Sequence, residues 1–255
     1  MVSSTLELRE LFHLAFLRHL GFRLTGRSYA VKGGICLRFF HRSQRFSQDM
    51  DLDAESGIRL KTLQKAVDSV LEGKALAASL FPHGISRVGF STPKQTETTQ
   101  RWKIALFVSG GTELTTKVEF SRRQGNIGFS SGIPNPELLA RYGMPPFACN
   151  FYSAPVMAIQ KINALGAFSR FAARDLYDLD HLLEMGALKT GKFKYEISNE
   201  ALEKAAGKAA SFTFADFQEQ VVPYLSGEIM DLFGKPDEFE KMKGRVEQAL
   251  MAMLR

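Results

Sequence analysis

Three aspartates at alternate positions in "RFSQDMDLD" (residues 45–53) constrain this chain more than any other feature. Only Met50 and Leu52 separate Asp49, Asp51 and Asp53. Successive side chains of a β-strand point to opposite faces, so the spacing predicts a strand with all three carboxylates on one face. Like charges at such distances repel. Desolvating them costs more still unless a cation or hydrogen bonds compensate. The segment therefore calls for something positive in front of it.

The flanking pattern gives the strand a setting. Apolar spacing predicts a helix over residues 5–20. "SYAVKGG" reads as a short strand ending in a glycine turn, and "ICLRFFHR" as a helix that starts from that turn. Residues 59–73 form an amphipathic helix closed by Gly73. "ISRVGFST", "RWKIALFV" and "ELTTKVEFS" alternate as strands, with Gly110-Gly111 marking a hairpin between the last two. The texture changes around "YGMPPFA". After a possible strand at "CNFYSA", Pro155 opens a long helix, and further helices are expected near 172–186, 197–210, 213–226 and 236–254. The expected organisation is α+β, with a mixed-sheet domain over 1–147 and a helical C-terminal domain over 148–255. A composition of 45% hydrophobic and 24% charged residues is enough for sizeable cores.

Several chemistries are excluded or left unsupported. No apolar run approaches the length needed to span a bilayer, so no membrane partner is expected. The first 22 residues are broken by Glu7, Arg9, Glu10 and Arg18 and do not read as a secretory signal. Cys36 and Cys149 make neither a disulfide framework nor a metal spacing, which leaves the cytoplasm as the expected compartment. His13, His19, His41, His83 and His181 show no metal-binding spacing, and no nucleophile elbow or Walker A sequence is present. The formal charge of +6 is unevenly spread. Residues 1–45 carry eight basic groups (Arg9, Arg18, Arg23, Arg27, Lys32, Arg38, Arg42, Arg45) against Glu7 and Glu10, a net of +6. A basic region beside an acidic cluster suits a polyanion that meets metal at the acids, though a solvated basic face has the same composition.

Magnesium takes oxygen ligands, typically one or two carboxylates plus substrate phosphates. Carboxylates on one strand face can bridge two such ions for an in-line phosphoryl-type displacement. A third acid commonly comes from a neighbouring strand, and Glu119, between Val118 and Phe120, stands where it is expected. A strand–Gly-Gly–helix junction at "KGG" presents backbone N–H groups to phosphate. It is equally the pattern of a plain turn. Asp49, Asp51 and Asp53 could likewise line an exposed edge strand.

Gly33-Gly34, Asp49-x-Asp51 and Glu119 together resemble the DNA polymerase β-type nucleotidyltransferase superfamily. More narrowly, "KGGICLRFFHRSQRFSQDMDLD" is similar to the first motifs of the AbiEii family, toxins of type IV toxin–antitoxin systems. "IQKINALGAFSRFAARDLYDLDHLL" is similar to that family's later segment. The resemblance implies that Gly33 and Gly34 hold the triphosphate, that Asp49 and Asp51 bind two magnesium ions, and that Glu119 is the third acid. It places Arg45, Ser47, Lys161, Arg174 and Asp175 around the nucleotide, with Lys161 and Asp178 among the catalytic groups. Helix spacing puts Arg170, Arg174 and Asp178 on one face, with Arg174–Asp178 as an ion pair, and Lys161 at the border of an apolar face near an interdomain cleft. Three departures stand out: Gly34 where serine is frequent, fourteen residues between Gly34 and Asp49, and Glu119 where aspartate is commoner. The implied activity is transfer of a nucleoside monophosphate from a nucleoside triphosphate to an RNA, the tRNA 3′ end foremost, by a toxin whose antitoxin is a transcriptional repressor. The alternatives are a nucleotidyltransferase acting on a small molecule or a protein, and a catalytically inactive nucleotide-binding module.

Overall fold

The computed structural model of the protein describes residues 4–24, 28–122, 129–189 and 197–254. The chain divides into two compact units. The first comprises Met1–Arg42 and Phe46–Tyr152, and the second comprises Ser43–Arg45 and Ser153–Arg255.

The first unit runs α1 (Thr5–Leu20), β1 (Tyr29–Lys32), α2 (Gly33–Phe40), β2 (Met50–Ala54), α3 (Leu60–Leu71), α4 (Lys74–Leu80), β3 (Ile85–Gln95), β4 (Thr99–Val108), β5 (Glu113–Ser121), β6 (Ser130–Gly132), α5 (Pro136–Arg141) and β7 (Cys149–Phe151). The seven strands form one sheet in the order β3-β4-β5-β2-β1-β7-β6. β2 pairs antiparallel with β1 and parallel with β5, and β1 is parallel to β7, so the sheet is mixed. α1 starts from a reciprocal Ser4–Glu7 cap that satisfies two backbone donors. Its residues from Leu11 to Leu17 are all buried. A helix apolar on nearly every side belongs inside a core rather than on a surface.

One face of the sheet is apolar. Met50, Leu52, Trp102, Ile104, Leu106, Val118 and Phe120 alternate onto it and are buried. Trp102 donates its indole N–H to Asp68 at 2.7 Å, which fixes α3 against β4. The β4–β5 hairpin turns at Gly110 and Gly111, both left-handed (φ 100° and 88°), as tight hairpins demand. β3 is an edge strand, and its register shifts between Ser91 and Lys94, around Pro93. A proline is tolerated there because, at an irregularity on an edge strand, its missing N–H costs no ladder bond. Gly73 does not close α3 as a left-handed cap. It is extended (φ −71°) and leads into α4. A side chain there would lie 2.9 Å from the Ser69 carbonyl, which is the reason for glycine.

The second unit is helical: α6 (Ala154–Gly166), α7 (Ala173–Glu184), α8 (Asn199–Ser211), α9 (Phe214–Gln220), α10 (Gly227–Phe233) and α11 (Pro236–Ala252). α8 packs on α6 and α11, and α7 on α6 and α11. Phe212, Phe217, Phe239, Leu176, Leu179, Val246 and Leu250 fill the core between them. Among the described residues no helix is long and apolar enough to cross a membrane.

Candidate active site

The second face of the sheet is polar, and the strand register decides what it carries. Asp51 lies beside Glu119 across the β2–β5 pair, Glu119 faces Arg101 across β5–β4, and Lys117 faces Lys103. Asp49, just ahead of β2, accepts a bond from the Lys117 ammonium at 2.9 Å. Glu119 is met by the Arg101 guanidinium at 2.6 Å. Asp49 and Glu119 are thus balanced by cations from β5 and β4, whereas Asp51, half-buried between them, has no such ion pair among the described residues. Burial raises the Asp51 carboxyl above its ordinary pKa, Lys117 and Lys32 pull it back, and Glu119 and Asp49 push it up again. Asp53 is differently employed. It is buried, bonded by the Lys32 ammonium, and accepts from the Tyr152 hydroxyl at 2.9 Å.

The glycine turn adjoins this group. Gly33 opens α2 with φ 66°, and a Cβ there would lie 3.1 Å from the Asp51 Oδ2. Only glycine meets both conditions without strain. Lys32, the N-cap residue, makes no side-chain bond to the start of α2, and the first N–H groups of a helix, which lack intrahelical partners, suit an anion. Oxygen donors on one face suit a hard cation that is shared with phosphates. Among the described residues, no three acidic, histidine or cysteine side chains are gathered into a ready-made metal cage. A cation seated by one or two carboxylates and completed by substrate needs none.

A buried support holds the approach to β2. The Thr116 hydroxyl donates to the Gln48 carbonyl at 2.8 Å, so His13 Nε2, 2.8 Å from that hydroxyl, must be the donor to it. Burial lowers the His13 pKa to about 3, which keeps the ring neutral as this arrangement requires. Ser47 donates its hydroxyl to the Asp49 carbonyl at 2.9 Å and shapes the same turn.

The remaining residues that the sequence pattern singled out gather elsewhere, in the helical unit. Arg45 donates to both oxygens of Asp178 at 2.9 and 2.8 Å. The Lys161 ammonium lies 2.6 Å from Asp178 and 2.8 Å from Asp175. Arg170 adds a bond to Asp175 at 2.5 Å. Burial by itself would raise both carboxyls. Arg45 and Lys161 instead hold Asp178 below the usual range, and Lys161 and Arg170 do the same for Asp175. Lys161, expected at the border of an apolar helix face, is instead buried, with only 7% of it exposed. The expected Arg174–Asp178 pair is replaced too. α7 begins only at Ala173, Arg174 turns to solvent, and Asp178 is occupied by Arg45 and Lys161.

The basic stretch of residues 1–45 is likewise not a single face. Arg38 is buried against Glu10 at 2.5 Å, Lys32 holds Asp53, and Arg45 sits in the helical unit. Arg23 and Arg42 are exposed, and Arg27 lies outside the described residues. The cations that do flank the acids, Arg101 and Lys117, were missed by sequence reading. The available signal was the alternation in "RWKI" and "TKVEF", which puts these groups and Glu119 on one side of a hairpin.

The family model described as "Nucleotidyl transferase AbiEii toxin, Type IV TA system" matches residues 15–252. No curated protein matches the chain. Among solved structures, JHP933 from Helicobacter pylori superposes with a TM-score of 0.58 at 19% identity, covering 99% of this chain and 96% of that one. MenT4, a nucleotidyltransferase toxin from Mycobacterium tuberculosis H37Rv, superposes with a TM-score of 0.52 at 15% identity, covering 96% and 92%. At these identities the likeness speaks to the fold.

Proposed function

The chain belongs to the AbiEii family of nucleotidyltransferase toxins of type IV toxin–antitoxin systems, and from that premise we propose that it transfers a nucleoside monophosphate from a nucleoside triphosphate to a 3′ hydroxyl of RNA, tRNA foremost. The observation that carries the reading is the polar sheet face on which Asp51 stands beside Glu119, with Asp49 one step along and Gly33 against Asp51.

In this reading the N–H groups of Gly33 and Gly34 bind the triphosphate, and Asp49, Asp51 and Glu119 hold magnesium. When bound, the metal neutralises phosphate charge and lowers the pKa of the acceptor hydroxyl. The residues around it supply fixed geometry, which is most of what this kind of transfer requires. His13, Thr116 and Ser47 set the turn that carries Asp49. Lys117 and Arg101 hold Asp49 and Glu119 in place until a metal takes them over. Arg45, Lys161, Asp175 and Asp178 brace the helical unit from within, and Arg174 is exposed at the start of α7. Family membership implies an antitoxin, for which we propose a transcriptional repressor, and the cytoplasm as the place of action.

The test is incubation with magnesium, each radiolabelled nucleoside triphosphate in turn and total RNA, resolved on a gel. Label on a small RNA from one nucleotide is the expected result. Label confined to protein or to a small molecule would sink the RNA assignment, and no label or triphosphate binding at all would sink the enzyme.

A further inference from the structure

We infer that the open face of the β3–β4–β5 meander is the seat of the acceptor strand, so that RNA reaches the acids from the β5 side; this rests on the RNA reading given above. Register places Arg87 beside Phe107, Gly89 beside Ala105 and Ser91 beside Lys103 across β3–β4, then Lys103 beside Lys117 and Ala105 beside Thr115 across β4–β5. By the two-residue alternation of strands, these side chains share the face that carries Glu119 and Arg101. The face is not flat. The Phe107 ring lies over Gly89, where a Cβ would come within 3.2 Å of it, and Ala105 and Thr115 leave a low floor between that ring and Lys103 and Lys117. The resulting groove has a volume of about 640 Å³ and reaches Asp49. That is the size of a small-ligand site, with room for the terminal nucleotides of a single strand.

The chemistry of the lining favours a nucleic acid. Arg87, Lys103 and Lys117 outnumber Glu113, the acid at the far end, and Asp49 marks the near end. The Arg87 guanidinium lies over the Phe107 ring at 3.7 Å. A planar cation held on an aromatic ring is a platform for a base or a phosphate. Arg87 and Lys103 are exposed, and unlike Lys117 and Arg101 they have no acid of the site to balance.

Strand order supplies the direction. Gly33 lies on the β1 side of Asp51, and the groove lies beyond β5 on the other side. An in-line displacement needs the attacking oxygen and the departing pyrophosphate on opposite sides of the transferred phosphorus. The glycine turn provides for the departing group, and the groove for the arriving one. The bond formed joins the 3′ oxygen to the α-phosphorus. The bond broken joins that phosphorus to the bridging oxygen of pyrophosphate, and the hydroxyl proton goes to solvent.

The test uses R87E, K103E and A105W in the full chain, with melting temperature as the control for folding. RNA binding is read by fluorescence anisotropy over a salt series, and transfer by labelling of the RNA that the wild type labels. Each charge reversal should raise the RNA KM about tenfold and lower the log–log salt slope by about 0.7–0.9. Filling the floor in A105W should depress kcat/KM for RNA, and the triphosphate affinity of all three should stay within twofold of wild type. RNA affinity, salt slope and RNA KM unchanged in every variant would overturn the acceptor seat and leave the proposed function standing. A wild type that labels no RNA would overturn both. Variants that lose labelling of a protein acceptor instead would overturn RNA as the occupant.

Discussion

Asp49 and Asp178 each have a lysine ammonium close by, at 2.9 Å from Lys117 and 2.6 Å from Lys161, yet they sit in opposite environments. The first pair keeps about a third of each side chain in water (31% and 32%), and the second keeps 1% and 8%. In water, such a pair contributes little and exchanges partners readily. In the interior, each ion has lost its solvation and depends on its partner, so removing one strands the other. The acids of the sheet can therefore give up Lys117 or Arg101 for a metal. The helical cluster cannot give up Arg45 or Lys161 without unfolding cost. Identical chemistry makes an exchangeable pair in one place and a brace in the other.

The largest expected effect breaks the brace. Asp178→Ala leaves Arg45 and Lys161 buried with too little counter-charge, and urea unfolding should show a loss of about 3–5 kcal/mol. Stability within about 1 kcal/mol of wild type would mean that the cluster is dispensable. Asp51→Asn should act in the opposite sense. It removes a charge from a crowded, partly desolvated face, so the melting temperature should hold or rise slightly. Transfer should nevertheless fall by about 10²–10³-fold, the scale of losing one preorganised electrostatic group. Full activity in that variant would remove Asp51 from the site.

Acidification separates the regions further. Asp175 and Asp178 have depressed pKa values in the folded chain. Their contribution is present above the unfolded aspartate pKa and is lost as pH falls below it. Asp51 is raised, so its protonation in acid favours the folded state. Stability followed against pH should drop below about pH 4, by up to about 1.4 kcal/mol per pH unit for each depressed group. Asp178→Ala should flatten that limb, and Asp51→Asn should not. An unchanged limb in Asp178→Ala would place the acid sensitivity elsewhere. His13, lowered to about 3 by burial, adds a decline with the same limit of about 1.4 kcal/mol per pH unit, beginning at its unfolded pKa of about 6.5.

Much of the fold was legible because it is periodic. The helix at 5–20 and the strand at 113–121 coincide with α1 and β5, and the meander follows from alternation and two glycines. α4, β6, α5 and α10 were missed, each being too short to repeat its period enough times. The acids of the candidate site were legible for a local reason: Asp49 and Asp51 share a face through backbone geometry that operates over a few residues. Glu119 needed only the assumption of a neighbouring strand.

Lys161 shows where such reasoning stops. Its helix and its buried neighbours Ile162 and Leu165 were read correctly, but its fate depends on Asp175 and Asp178, and theirs on Arg45, 133 positions from Asp178. No local period encodes that meeting. Lys117 and Arg101 lie between the two cases: alternation puts them on the face of Glu119, but only the β2–β5 register brings that face to Asp49 and Asp51. The sequence by itself determined which segments are strands and helices and which face the carboxylates share, since dihedral preference and side-chain alternation act over a few residues. Only the tertiary structure decided which charges stay wet and exchangeable and which are sealed into a brace, because burial is set by everything that packs around a group.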